Sequence, residues 1–214
     1  MKLLIIICAH ELDSKWRNNI KILDDYMKCL NIEVYYCGIS NQSDFHNYES
    51  IIQFKHKIIN TKRQFNKLCD FITDYKHELY YDWYMKIRPD LKLLENINFD
   101  ILSQTAINGR ARVYRGPKKI KYGTTVNGQG RWKHISGYHY DEKENIVLDD
   151  MLFIFHNNII QMNAFDKILH ESMYGEEWAQ THIYNIRNIP LNVIGIHIEN
   201  TKYNTFSGDI GIIT

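Results

Sequence analysis

Seven consecutive apolar residues near the start of the chain, Leu3-Leu4-Ile5-Ile6-Ile7-Cys8-Ala9, constrain the fold more than any other feature. A strand with one face in water alternates apolar and polar residues. A run that is apolar at every position suits a strand covered on both faces, as in a parallel sheet between layers of helices. His10-Glu11-Leu12-Asp13-Ser14 then reads as a polar loop, with Asp13 or Ser14 placed to cap a helix. Trp16, Ile20, Leu23, Met27 and Leu30 recur every three or four residues, which predicts an amphipathic helix. Residues 32–37 form a second strand, and Gly38 to Asp44 its loop. A third strand is expected over 55–59. Asn60-Thr61 would cap a second helix carrying Phe65, Leu68, Cys69, Ile72 and Tyr75. Strand and helix alternate, so the class is α/β with a mostly parallel central sheet flanked by helices.

The second informative stretch is Tyr81-Asp82-Trp83-Tyr84-Met85-Lys86-Ile87-Arg88-Pro89-Asp90-Leu91. Trp83, Met85 and Ile87 alternate with Tyr84 and Lys86, the period of a strand. Pro89 has no N–H to give the ladder and holds Arg88 extended, so the strand stops there. Arg88 and Asp90 thus stand at the C-terminal end of a central strand, the end where open α/β sheets bind ligands. A guanidinium there suits phosphate, and a carboxylate suits a hard divalent cation. A strand-end turn with a surface Arg–Asp pair is the plainer reading of the triplet by itself.

No glycine occurs from Cys8 to Asp13. That argues against a dinucleotide-binding Rossmann domain and a P-loop, whose glycines let the backbone approach phosphate. A net charge of +1 implies no broad attraction to nucleic acid or acidic membranes. The chain of 214 residues suits one domain, 1–214. Cys8, Cys29, Cys37 and Cys69 lack the close spacing of a zinc or redox motif, and read as small buried hydrophobes of a reduced, cytoplasmic compartment. Leu3 to Ile7 is too short for a signal peptide core or a membrane span.

Beyond residue 100 the pattern changes. Asn108-Gly109 is a turn signal and Arg110 to Tyr114 alternates, which predicts a hairpin. Arg110, Arg112, Arg115, Lys118, Lys119 and Lys121 form the most basic stretch, read as a solvated excursion. Gly123 to Gly137 reads as a long loop or lid. In the stretch from Asn145 to Phe155, every residue after Asn145 is apolar except Asp149 and Asp150, two carboxylates that are costly to bury without a task or partner. They are either strand residues or a helix N-cap pair. Asn163 to Met173 is expected to be helical. So is the segment opened by Gly175-Glu176-Glu177 and stopped by Pro190. Leu191 to Ile198 is a last strand, with His197 at its end, and the tail from Glu199 reads as a surface loop.

In this order the elements resemble a small GT-A-type glycosyltransferase with a smaller mixed β part in its C-terminal half. In that family an Asp-x-Asp-like motif closes a central strand and binds a metal that holds the sugar-nucleotide diphosphate. Lys86-Ile87-Arg88-Pro89-Asp90 looks like the Arg-Pro-Asp form of some polysaccharide and viral glycosyltransferases. It departs from Asp-x-Asp at Arg88. The resemblance implies residues 1–100 as a nucleotide-binding half and 101–214 as an acceptor half. It implies Arg88, Asp90 and His10 on the sugar nucleotide, with Asp90 and His197 as ligands of a divalent metal, Mn2+ or Mg2+. Asp149-Asp150 matches the position of the acid that acts as general base on the acceptor hydroxyl, Asp150 before Asp149, with Glu176 and Glu177 as second choices. The implied partners are a nucleoside-diphosphate sugar and a glycan or glycoprotein acceptor, with no nucleic acid and no membrane span. The location is cytoplasmic, or the host cytoplasm for a viral chain. Two other readings stand beside this one: a catalytically inactive sugar-nucleotide or carbohydrate-binding domain, and a nucleotidyltransferase.

Overall fold

A computed structural model describes residues 1–114, 145–166, 189–194, 196, 198–201, 205–207 and 210–213. Strand β1 (Lys2–Cys8) leads through a 3-10 turn (Ser14–Trp16) into helix α1 (Arg17–Cys29), then β2 (Glu33–Ser40) and β3 (Phe54–Ile59). Helix α2 (Gln64–Tyr75) carries the chain to β4 (Trp83–Ile87) and the short β5 (Leu91–Leu93). There follow β6 (Ile107–Tyr114), β7 (Asn145–His156), α3 (Asn157–Gln161), β8 (Leu191–Val193), β9 (Ile198–Asn200), β10 (Thr205–Ser207) and β11 (Ile210–Ile213).

Among the described residues the main sheet has eight strands in the order β11-β6-β7-β4-β1-β2-β3, with β8 also against β6. β1 pairs in parallel with both β2 and β4, and β2 with β3. β7 is antiparallel to β4 and to β6, while β8 and β11 run parallel to β6. Of these strands β7 alone therefore runs against the rest, and the sheet is mostly parallel, as expected. A second sheet, β10-β9-β5, lies at the end of β4.

The apolar run forms β1, and its residues divide between two cores. Leu3, Ile5 and Ile7 pack on the α1 side with Ile20, Leu23 and Met27. Leu4, Ile6 and Cys8 pack on the α2 side with Phe65, Leu68 and Ile72. Successive side chains of a strand point to opposite faces, so a strand with helices on both sides needs apolar residues at every position. β4 obeys the same rule: all five of its residues are buried. The alternation there separates two buried layers, with Trp83, Met85 and Ile87 towards α1 and Tyr84 stacked flat on Phe155 at 5.3 Å.

Several expectations change. Asn108 and Gly109 lie inside β6 and make no turn. The Asn108 amide is buried and donates to Ser103, Ala106 and Ile154 carbonyls, so it serves packing. The strand expected over 191–198 divides into β8 and β9, which belong to different sheets. The tail read as a loop contributes β10 and β11. Helix α2 starts at Gln64, after Arg63, and the Asn60 side chain caps a local turn at Lys62 instead. Cys29 is exposed at the end of α1, whereas Cys8, Cys37 and Cys69 are buried. The lid at 123–137, the helices at 163–173 and 175–189, and Glu176, Glu177 and His197 lie wholly or mostly outside the described residues. Among the described residues no helix is long and apolar enough to cross a membrane.

Candidate active site at the C-terminal edge of the sheet

β1 has β2 on one side, reached through α1, and β4 on the other. The strand order therefore reverses at β1, and the crevice beyond the C-terminal ends of β1 and β4 is the switch point where such sheets take ligands. Arg88 and Asp90 stand at this edge. Arg88 donates from Nε to Asp90 Oδ1 at 2.9 Å and from a terminal guanidinium nitrogen to Oδ2 at 2.5 Å. The fork-on-fork geometry sets the guanidinium plane as well as its position. The pair is not on the surface: the Asp90 side chain is 3% exposed and that of Arg88 22%. Burial follows from the turn being pinned at its backbone. Asn19, from the first turn of α1, donates to the Pro89 carbonyl at 3.1 Å and to Thr201 Oγ1 at 2.9 Å. Thr201 in turn donates its N–H and its hydroxyl to the Asp90 carbonyl, at 2.9 and 3.0 Å.

The second predicted cluster arrives at the same edge. The Arg88 N–H donates to the Met151 carbonyl, so Asp150 is the next residue along β7. Gly109 pairs with Phe153 and Ala111 with Leu148, so residues 149–152 stand opposite Arg110 alone. Asp149 and Asp150 thus lie in a bulge of a strand, not at a helix start. Such bulges bend a strand and re-aim its residues. Of the remaining candidates, His10 is exposed at the end of β1, and its carbonyl accepts from Asn41 N at 3.1 Å. The described residue of the C-terminal segment that touches Asp90 is Thr201.

Four further residues belong to this edge and carried no sequence signal. Lys67 of α2 is fully buried, and its ammonium donates to the Ala9 carbonyl and to Asn41 Oδ1. A lysine in an amphipathic helix normally points to water, so nothing marks it in the sequence. Burial pulls its pKa below the usual lysine value, with Cys8 and Asp44 acting the other way. Asp44, after β2, accepts from Leu12 N at 2.6 Å through Oδ2, while its buried Oδ1 has no partner. Asn47 donates to the Leu12 carbonyl at 2.8 Å and Tyr48 to that of Asp13 at 3.0 Å. These bonds latch the loop after β1 onto the loop after β2. Burial, then Asp13, Asp44 and Asp90, pushes the Tyr48 hydroxyl upward in pKa, so it stays a donor.

A divalent cation of the Mg2+ or Mn2+ kind needs several oxygen or imidazole ligands converging on one point. Among the described residues no three His, Cys, Asp or Glu side chains do so, and both Asp90 oxygens face the Arg88 guanidinium. The described donor set does not fit a divalent metal.

No protein-family model matches the sequence, and no curated protein does. Solved structures do resemble it. A Bacillus anthracis protein described as a glucose-1-phosphate thymidylyltransferase, in complex with sucrose, aligns with TM-score 0.54 at 10% identity over 94% of this chain and 89% of that one. A mutant Drosophila β1,4-galactosyltransferase 7 in complex with manganese, UDP-Gal and xylobiose aligns with TM-score 0.51 at 10% identity, over 96% of this chain and 69% of that one. A glycosyltransferase involved in glycosylation of the major capsid of PBCV-1 aligns with TM-score 0.44 at 8% identity, over 88% and 77%. The first two likenesses are of fold, and on them this chain has a mixed α/β, GT-A-like fold.

Proposed function

We propose that the chain is a glycosyltransferase that moves a sugar from a nucleoside-diphosphate sugar to a hydroxyl of a glycan or protein-linked acceptor. The observation that carries this reading is the bidentate Arg88–Asp90 pair at the end of β4, with the Asp149–Asp150 bulge of β7 alongside it. When the sugar–phosphate bond breaks, negative charge grows on the departing diphosphate. A cation fixed against that oxygen stabilises the transition state more than the ground state. Arg88 supplies the cation, and Asp90 holds its guanidinium in one plane. Asn19 and Thr201 fix the turn that carries both. Asp150 takes the proton of the acceptor hydroxyl as it attacks the anomeric carbon, with Asp149 as its neighbour in the bulge. His10 and the latched loops after β1 and β2 form the nucleoside side of the crevice, within a nucleotide half at 1–100. The acceptor half is 101–214. In this reading Arg88 takes over the neutralising role that the glycosyltransferase resemblance gives to Mn2+ or Mg2+.

Nucleotidyl transfer is disfavoured, because residues 9–14 contain neither glycine nor lysine or arginine to cradle a triphosphate. Calorimetry with a panel of UDP-, GDP- and dTDP-sugars, with manganese and with a chelator, tests the proposal. Saturable heat with one donor, followed by sugar transfer to an acceptor, is expected. A donor bound but never turned over points to an inactive binding domain. No heat across the panel refutes the proposal.

A further inference from the structure

A lysine is rarely buried completely without a carboxylate partner, because neutral oxygens replace lost hydration of the ammonium poorly. Lys67 is such a lysine. It is 0% exposed, and its two acceptors, the Ala9 carbonyl and Asn41 Oδ1 at 2.5 Å, are both neutral. Among the described residues no ion pair includes it. Asp44 is the acid whose charge it feels, yet that carboxylate accepts from Leu12 and Gln42. A buried charge left this way is a liability for folding unless a ligand completes it.

Its place in the fold points to the ligand. Ala9 and Asn41 are the first residues past the ends of β1 and β2, so the ammonium sits at the same edge of the sheet as Arg88. The two acceptors differ in access: Ala9 is 2% exposed, whereas Asn41 is half-buried and open to solvent. An incoming oxygen can therefore replace Asn41 Oδ1 while the bond to Ala9 persists.

We propose that Lys67 is an anion-binding group of this site and that a phosphoryl oxygen of the donor diphosphate takes the place of Asn41 Oδ1 on its ammonium. The exchange makes and breaks no covalent bond. It replaces a neutral acceptor by an ionised one, and such bonds are about twice as strong. With Arg88 beyond the neighbouring strand, the diphosphate then lies between two cations held by different elements. The inference rests on the donor class proposed above and adds to it the second cation.

Asn41→Asp tests it without disturbing Lys67. The new carboxylate sits where the phosphoryl oxygen would bind, and it pairs with the ammonium. The melting temperature should rise, while affinity for inorganic pyrophosphate and for the nucleoside-diphosphate sugar should fall by at least about tenfold. Lys67→Met, which keeps the apolar stem, should lose the same affinity wherever it folds. If Asn41→Asp binds pyrophosphate and donor as the parent does, the inference is wrong: Lys67 is then only a peg between two strand ends, which a carboxylate would tighten. A parent that binds a sugar nucleotide with such an unaffected variant leaves glycosyl transfer standing. A parent that binds pyrophosphate but no sugar nucleotide, with affinity lost in the variant, supports the anion site and refutes glycosyl transfer. A parent that binds neither overturns both.

Discussion

Asp90→Asn is the most informative single substitution, because it removes a charge and almost no volume. The Asp90 side chain is 3% exposed and accepts both bonds from Arg88. Breaking a buried ion pair by neutralising one partner costs about 3–5 kcal/mol, because the other charge is left uncompensated. Arg88 is 22% exposed, so water recovers part of that cost. The expectation is accordingly about 2–3 kcal/mol. For a domain of this size each kcal/mol lowers the melting temperature by about 2–4 °C, which gives a drop of about 4–12 °C. Scanning calorimetry reads the shift. A double-mutant cycle with Arg88→Met should show the two losses to be less than additive, since the second change removes the stranded charge. Donor titration adds the functional half. If Asp90 acts by orienting Arg88, donor affinity falls equally with manganese and with chelator. If Asp90 anchors a metal, the loss appears only with manganese. A variant within about 0.5 kcal/mol of the parent would refute the reasoning, since surface changes away from such features fall in that range.

Three further outcomes are expected. Asp150→Asn should lower turnover by at least about a hundredfold and leave donor dissociation within a few-fold, as fits a residue whose task is proton transfer. Full transfer activity would place the base elsewhere, with Glu176 or Glu177 next to test. Thiol titration at pH 8 should find one fast-reacting group, the exposed Cys29, and all four only in guanidinium. Burial pushes the Cys8 thiol up to about 11, and two or more fast thiols in the folded protein would contradict the packing around it. Lys67 gives a pH signature: its folded pKa is lowered, so the unfolded state binds more protons between that value and 10.5. The stability of the parent relative to Lys67→Met should therefore rise with pH across that window. Denaturant midpoints that differ by a constant from pH 8 to 10.5 would count against a buried ammonium.

The sheet was legible in the chain because its causes are local. An apolar residue at every position of 3–9 can be solvated by nothing but helices on both faces, so β1 and the α/β class follow from a few neighbouring residues. Pro89 cannot extend a ladder, so the strand end and its Arg88 and Asp90 were visible too. Asn108-Gly109 misled for the converse reason. Turn propensity is local, but Asn108 and Gly109 pair with β7 and β8, and the Asn108 amide reaches the Ile154 carbonyl across the sheet as well as those of nearby Ser103 and Ala106, so sheet pairing outweighs it. The site itself depends on partners far apart in sequence. Asn19 meets Pro89 and Thr201, Lys67 meets Ala9 and Asn41, and Arg88 meets Met151. Asn19, Lys67, Asn41 and Thr201 are unremarkable among their neighbours in the chain. The sequence by itself therefore determined the layers, the strand ends and the acids near them. Only the tertiary structure decided that Asp90 faces an arginine from both oxygens and that a lysine lies buried at the ends of β1 and β2. Burial and hydrogen-bond partnership arise from the packing of separated segments, and no run of neighbouring residues encodes them.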